Sequence, residues 1–152
     1  MKNRRIVFTA ITLIAVMLVA AFAFTACTDG KGKGDVTVVI ACDGSNKEYY
    51  VAADKVEGEG VLAVMEYLRD NEGLHFVTED GGYGEYATEV GGFKQGDGVY
   101  IYIFTSVEKD FDVSEYKQTV DYKGVTLTSS GVGLSAMSVE EDAIIYFGTT
   151  TY

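Results

Sequence analysis

The stretch VLAVMEYLRDN, residues 61–71, decides the fold class. Val61, Leu62, Val64, Met65 and Leu68 recur at the spacing of one helix face, and Glu66, Arg69 and Asp70 fall on the other side. Gly58-Glu59-Gly60 precedes it, and Asn71 and Gly73 stop it. The chain on either side is strand-like. Residues 36–42 alternate in a β-branched run, Asp43-Gly44-Ser45-Asn46 is turn chemistry, and residues 49–53 return as a hairpin. Downstream, residues 74–78 form a short strand with Leu74, Phe76 and Thr78 on one face. Residues 79–82 turn, residues 86–90 are extended, and Gly91-Gly92 permit a bend or bulge. VYIYIFT, residues 99–105, sets aliphatic Val99, Ile101 and Ile103 against aromatic Tyr100, Tyr102 and Phe104, so both faces need cover. Residues 108–122 are acidic and read as a loop, and residues 124–128 as a strand. Residues 131–138 form a loop plugged by Leu134 and Met137, and residues 143–147 are a last strand. A hairpin, one amphipathic helix and several strands predict an α+β domain over residues 36–152. In it the helix covers one face of a β-grasp-like mixed sheet. A β-sandwich with a stray helix is the alternative, and the clean apolar stripe argues against it.

The start of the chain concerns its address. Lys2, Arg4 and Arg5 precede an uncharged apolar run over residues 6–24, and Phe24-Thr25-Ala26-Cys27 leads into a polar stretch. A basic start, an apolar middle and small residues at the exit make an export signal, assigned to residues 1–26. The end of the run resembles a bacterial lipobox, with Cys27 as the residue that would carry the lipid and Phe24 where leucine is usual. An uncleaved membrane-spanning anchor is the other reading. Either one places the remainder outside the cytoplasmic membrane, because the basic end stays in the cytoplasm. Residues 27–35 (CTDGKGKGD) read as a flexible tether.

Charge and cysteine usage narrow the function classes. The net charge is −11, and removal of residues 1–26 takes away three positive charges and no negative ones, which leaves −14. Such a surface repels nucleic acid, so no nucleic-acid partner is expected. With Cys27 lipidated, only Cys42 remains, and no internal disulfide is available. Cys42 shares a strand face with Val36, Val38 and Ile40, which makes it a small buried thiol.

Bond-making chemistry finds little purchase. His75 is the only histidine, and one histidine with one free cysteine cannot supply a zinc set, so no metal site is expected. Glu79-Asp80 and Glu140-Glu141-Asp142 lie at turns, where solvated charge is the ordinary explanation. A hydrolase built on such paired carboxylates ranks last. The tyrosines say more: there are 11, and no tryptophan. Tyr83, Tyr86, Phe93, Tyr100, Tyr102 and Phe104 form one aromatic patch if the strand at 86–90 pairs with the strand at 99–105. Such rings stack on flat ligands or sugars, or fill a protein interface. The bland alternative is that they fill the sheet face opposite the helix.

Tyr83-Gly84 with Val90 and Gly92, the aromatic strand Tyr100 to Phe104, and Glu141-Asp142 before the last strand together resemble the transcobalamin-like C-terminal domain family. That family is common in lipoproteins and surface proteins of Gram-positive bacteria. Tyr100 stands where the family usually has Trp, and Glu141 where it usually has Gly. Thr105-Ser106 stands in place of an Asn-Gly pair. The resemblance covers nearly all of residues 36–152. It implies a lipid-anchored binding module without enzymatic activity whose ligand is a corrinoid such as cobalamin, or another small molecule. In the animal relatives this domain closes over a corrinoid held on a helical barrel, and the chain carries no such barrel sequence, so at most half of that site is implied. The alternative is a cell-surface adhesion module that binds protein or wall polymer.

Overall fold

A computed structural model describes residues 30–56 and 60–151. The leader over residues 1–26, Cys27 and the first part of the tether lie outside the described residues. The described strands and helix belong to one unit, Lys31–Tyr152. No helix among the described residues is long and apolar enough to cross a membrane.

The unit is mixed α+β, with one helix and two sheets. Its elements run β1 (Asp35–Ile40), β2 (Lys47–Ala52), α1 (Gly60–Glu72), β3 (Phe76–Asp80), β4 (Glu85–Val90), β5 (Phe93–Lys94), β6 (Val99–Thr105), β7 (Thr119–Tyr122), β8 (Val125–Ser129) and β9 (Ile144–Thr151). The larger sheet has the order β2-β1-β9-β6-β8-β7, and the smaller is β3-β4-β5. In the larger sheet β1 and β9 are parallel, with Thr37 beside Ile144 and Ile40 beside Phe147, and the other pairings are antiparallel.

Strand alternation splits the side chains of the larger sheet between two cores. Val36, Val38 and Ile40 of β1, Tyr49 and Val51 of β2, and Ile145 and Phe147 of β9 point to one side. There they meet the stripe of α1, in which Val61, Val64, Met65 and Leu68 are fully buried. Ala87 and Val90 of β4 and the plugs Leu134 and Met137 complete this core. Cys42 lies in it too, its thiol donating weakly to the Phe147 carbonyl at 3.4 Å. The second core is on the outer face: Val39, Phe104, Tyr122 and Leu127, with Tyr102 and Tyr146 packed against them. The Tyr122 and Tyr146 rings are 5.7 Å apart, so the far end of the sheet curls back over its own middle.

Two sequence expectations need correction. Glu79 and Asp80, expected at a turn, are the last residues of strand β3. The acidic segment 108–122 is not loop throughout: a single 3-10 turn forms at Glu108–Asp110, and Thr119–Tyr122 is strand β7. The hairpin turn that follows, Lys123-Gly124, has both residues at positive φ, 49° and 83°. It therefore folds β8 tightly back on β7, and Val120 and Tyr122 are taken up by the second core. Gly91 and Gly92 take the bend of the two options the sequence allowed, as the turn of a further short hairpin from β4 to β5.

Candidate functional site

The expected aromatic patch does not assemble as a ladder. β4 pairs with β3 and β5, and β6 with β8 and β9, so the strand at 86–90 and the strand at 99–105 sit in different sheets. The six aromatics consequently part company. Phe104 is buried in the second core, edge-on to Tyr146 at 6.0 Å. Phe93 packs against the first core. Tyr100 is exposed on β6. Tyr83, Tyr86 and Tyr102 stay together and line one cleft of about 290 Å³.

Three backbone features build that cleft. β6 meets β8 only at Phe104 and Thr105, after which the Ser130 N–H still reaches the Ile103 carbonyl at 2.8 Å and the chain then leaves. In an antiparallel strand, alternate residues direct their peptide groups to the same side. Val99 exchanges both its hydrogen bonds with Gly96 (2.9 and 3.0 Å), and Ile103 bonds Ser130. Ile101 faces the same side between them, where no strand pairs with β6. The floor of the cleft is therefore a short open length of strand edge.

The walls are two glycine-containing turns locked together. The Gly133 N–H donates to the Tyr83 carbonyl (3.0 Å) and the Leu134 N–H to the Glu85 carbonyl (2.7 Å). This contact is so close that a Cβ on Gly133 would stand 2.4 Å from the Gly84 carbonyl carbon, and Gly84 itself has φ +103°. Only glycine serves at both places. Behind the loop, buried Asp110 accepts from the Ser138 N–H (2.7 Å) and hydroxyl (3.1 Å) and so fixes its far end.

The rings differ in freedom. Tyr83 is 86% exposed and stands at the rim. Tyr86 donates from its phenol to Glu79 at 2.9 Å, and that carboxylate holds the phenol above its usual range. Tyr102 lies on the floor strand, 5.9 Å from Phe104 ring to ring. Chemically the cleft offers π faces and a length of peptide edge, groups suited to contact and not to bond-making. His75 is exposed and pairs with Glu89 at 2.9 Å, away from the cleft. Among the described residues no group of three or more His, Cys, Asp or Glu is placed to hold a metal ion. Sequence reasoning missed Ile101, Ile103 and the turn Ser130 to Gly133 as lining. The sequence signal for that turn is the GVG at residues 131–133, whose glycines let two backbones meet. No protein-family model matches the chain, and no curated protein matches it.

Proposed function

We propose that this chain is an extracytoplasmic binding module of the transcobalamin-like C-terminal type, β-grasp-like in its larger sheet and lipid-anchored through Cys27. It recognises a small ligand and carries out no bond-making chemistry. The β-grasp reading is supported by the first hairpin, the single helix packed on one face, and the parallel pairing of β1 with β9 beside β6. One observation carries the binding reading: Tyr83, Tyr86 and Tyr102 converge on a cleft floored by unpaired strand edge. Drug-sized ligands occupy roughly 300–1,000 Å³, so this cleft takes one edge of a larger molecule. That agrees with a corrinoid being the first ligand to test, and with a second surface supplying the remainder of its site. Cobalamin titrated into the protein, followed by absorbance and by calorimetry, is expected to bind, and Tyr83→Ala with Tyr102→Ala is expected to lose at least tenfold in affinity. Silence with cobalamin, or binding indifferent to both substitutions, would reject the reading.

A second observation favours a surface-partner module that binds protein or wall polymer. Val113 and Tyr116, on the loop between Phe111 and Gln118, are 95% and 75% exposed. Under that reading Val113→Ser and Tyr116→Ser abolish adhesion to cells or wall fragments and leave ligand binding untouched.

A further inference from the structure

The outer face of the larger sheet carries a second recess, of about 180 Å³, with no wall in common with the tyrosine cleft. It lies where the curled sheet nearly closes on itself. Lys123, in the β7–β8 turn, reaches Glu48 of edge strand β2 at 2.8 Å, and the Tyr50 hydroxyl donates to the same carboxylate oxygen. Thr37 of β1, Tyr122 of β7, Ile144 of β9 and Lys31, which pairs with Asp142 at 3.5 Å, complete the lining. Thr37 is 4% exposed and Tyr122 7%, and neither hydroxyl has a hydrogen-bond partner among the described residues. Tyr122 lies close enough to Glu48 and Lys123 for a weak hydrogen-bonding interaction with each, yet its hydroxyl makes no hydrogen bond of normal geometry with either.

Buried hydroxyls left unpaired destabilise a fold, and native proteins leave few of them. Two such groups beside one recess indicate that their partner arrives from outside the chain. The charges select its class. Both lysines of the lining are already paired, Lys123 with Glu48 and Lys31 with Asp142, so an anion meets the Glu48 carboxylate and a cation meets two ammonium groups. A neutral ligand meets neither penalty. A ligand hydroxyl both donates and accepts, so it satisfies Thr37 and Tyr122 whichever way their protons turn. The Tyr50 and Tyr122 rings and the Ile144 side chain offer apolar contact to the C–H face of a saturated ring. At roughly 30 Å³ per water, the recess holds a handful of waters or one such ring.

We infer that this recess is a second binding site, for one ring of a neutral saccharide, held by the hydroxyls of Thr37 and Tyr122 and by the Glu48–Lys123 pair. The site stands independently of the tyrosine cleft. The test is a titration of the full chain, watched by amide chemical shifts, with glucose, with N-acetylglucosamine, and with a soluble N-acetylglucosamine oligomer. Millimolar binding that perturbs residues near Thr37 and Tyr122 is expected. It should weaken at least tenfold in Thr37→Val and in Tyr122→Phe, both close in shape to the originals, and survive Tyr83→Ala. Equal affinity for monomer and oligomer identifies a free sugar as the source; tighter oligomer binding identifies a wall glycan. No shift with any of the three would overturn the site, and so would acetate binding there in competition with the sugars. Ordered waters on both hydroxyls in a crystal soaked with sugar, with no sugar density, would equally reduce the recess to a hydration pocket.

Discussion

Glu48 receives hydrogen bonds from Lys123 and Tyr50 on one carboxylate oxygen, and these draw its pKa from 4.5 down to about 2, the Lys123 bond contributing most and nearby Tyr122 adding less. An acid whose folded pKa lies below its unfolded one stabilises the fold above the unfolded value and ceases to do so as pH falls through the folded one. The stability advantage of the wild type over Glu48→Gln is therefore expected to be constant near neutrality and to shrink between about pH 4.5 and about pH 2. Lys123 is largely exposed, so the advantage is about 1 kcal/mol or less. Urea unfolding at a series of pH values measures it, and a gap of the same size at pH 7 and pH 2 would contradict it. Cys42 gives a second test at this scale. Burial pushes its thiol up to about 12, with Asp43 adding to the effect. At pH 8 iodoacetamide is expected to leave Cys42 unmodified in the native protein and to modify it fully in denaturant, as read by peptide mass mapping.

Among the elements, α1 and the loop on β4 carry the clearest expectations. Leu68→Ala removes a fully buried side chain from the stripe and should cost about 2–5 kcal/mol. Gly133→Val should break the docking of the 130–137 turn onto Tyr83 and Glu85. Loss of ligand affinity with α1 and the first core intact, seen by hydrogen exchange, is the expected pattern. These elements also mark what a reader of the sequence alone can recover. The helix was legible because its stripe is periodic and local, and β6 because seven β-favouring residues run without interruption. β7 was not: Thr119 to Tyr122 is framed by charge and carries only two core residues, and its pairing with β8 depends on a Lys-Gly turn that no strong turn signal announces. Of the cleft, Tyr83 and Tyr86 were legible as aromatics close to glycine, and Tyr102 as part of the aromatic face of the strand at 99–105. That Phe104 turns inward and Phe93 joins the first core was not, because both follow from which strands neighbour which. The seam recess was illegible altogether. The β1–β2 hairpin sets Thr37 near Glu48, but only the curl of the sheet brings Tyr122 to them.

For the whole molecule, anchoring and architecture are tested separately. Cys27, outside the described residues, is expected to bear the lipid. Cys27→Ser should leave the membrane fraction, and the mature N-terminal peptide of the wild type should carry a diacylglyceryl mass. An intact leader with a bare thiol would contradict both. The architecture has a consequence of its own. β9 lies in the middle of the larger sheet, with residue 144 beside residue 37, and β2-β1 on one side of it and β6-β8-β7 on the other. Neither half has its central neighbour until that segment emerges from the ribosome. Pairings this remote in sequence form late. A chain in which β9 is not yet available therefore holds two half-sheets with open inner edges, which draw shut like a purse when that strand slots between them.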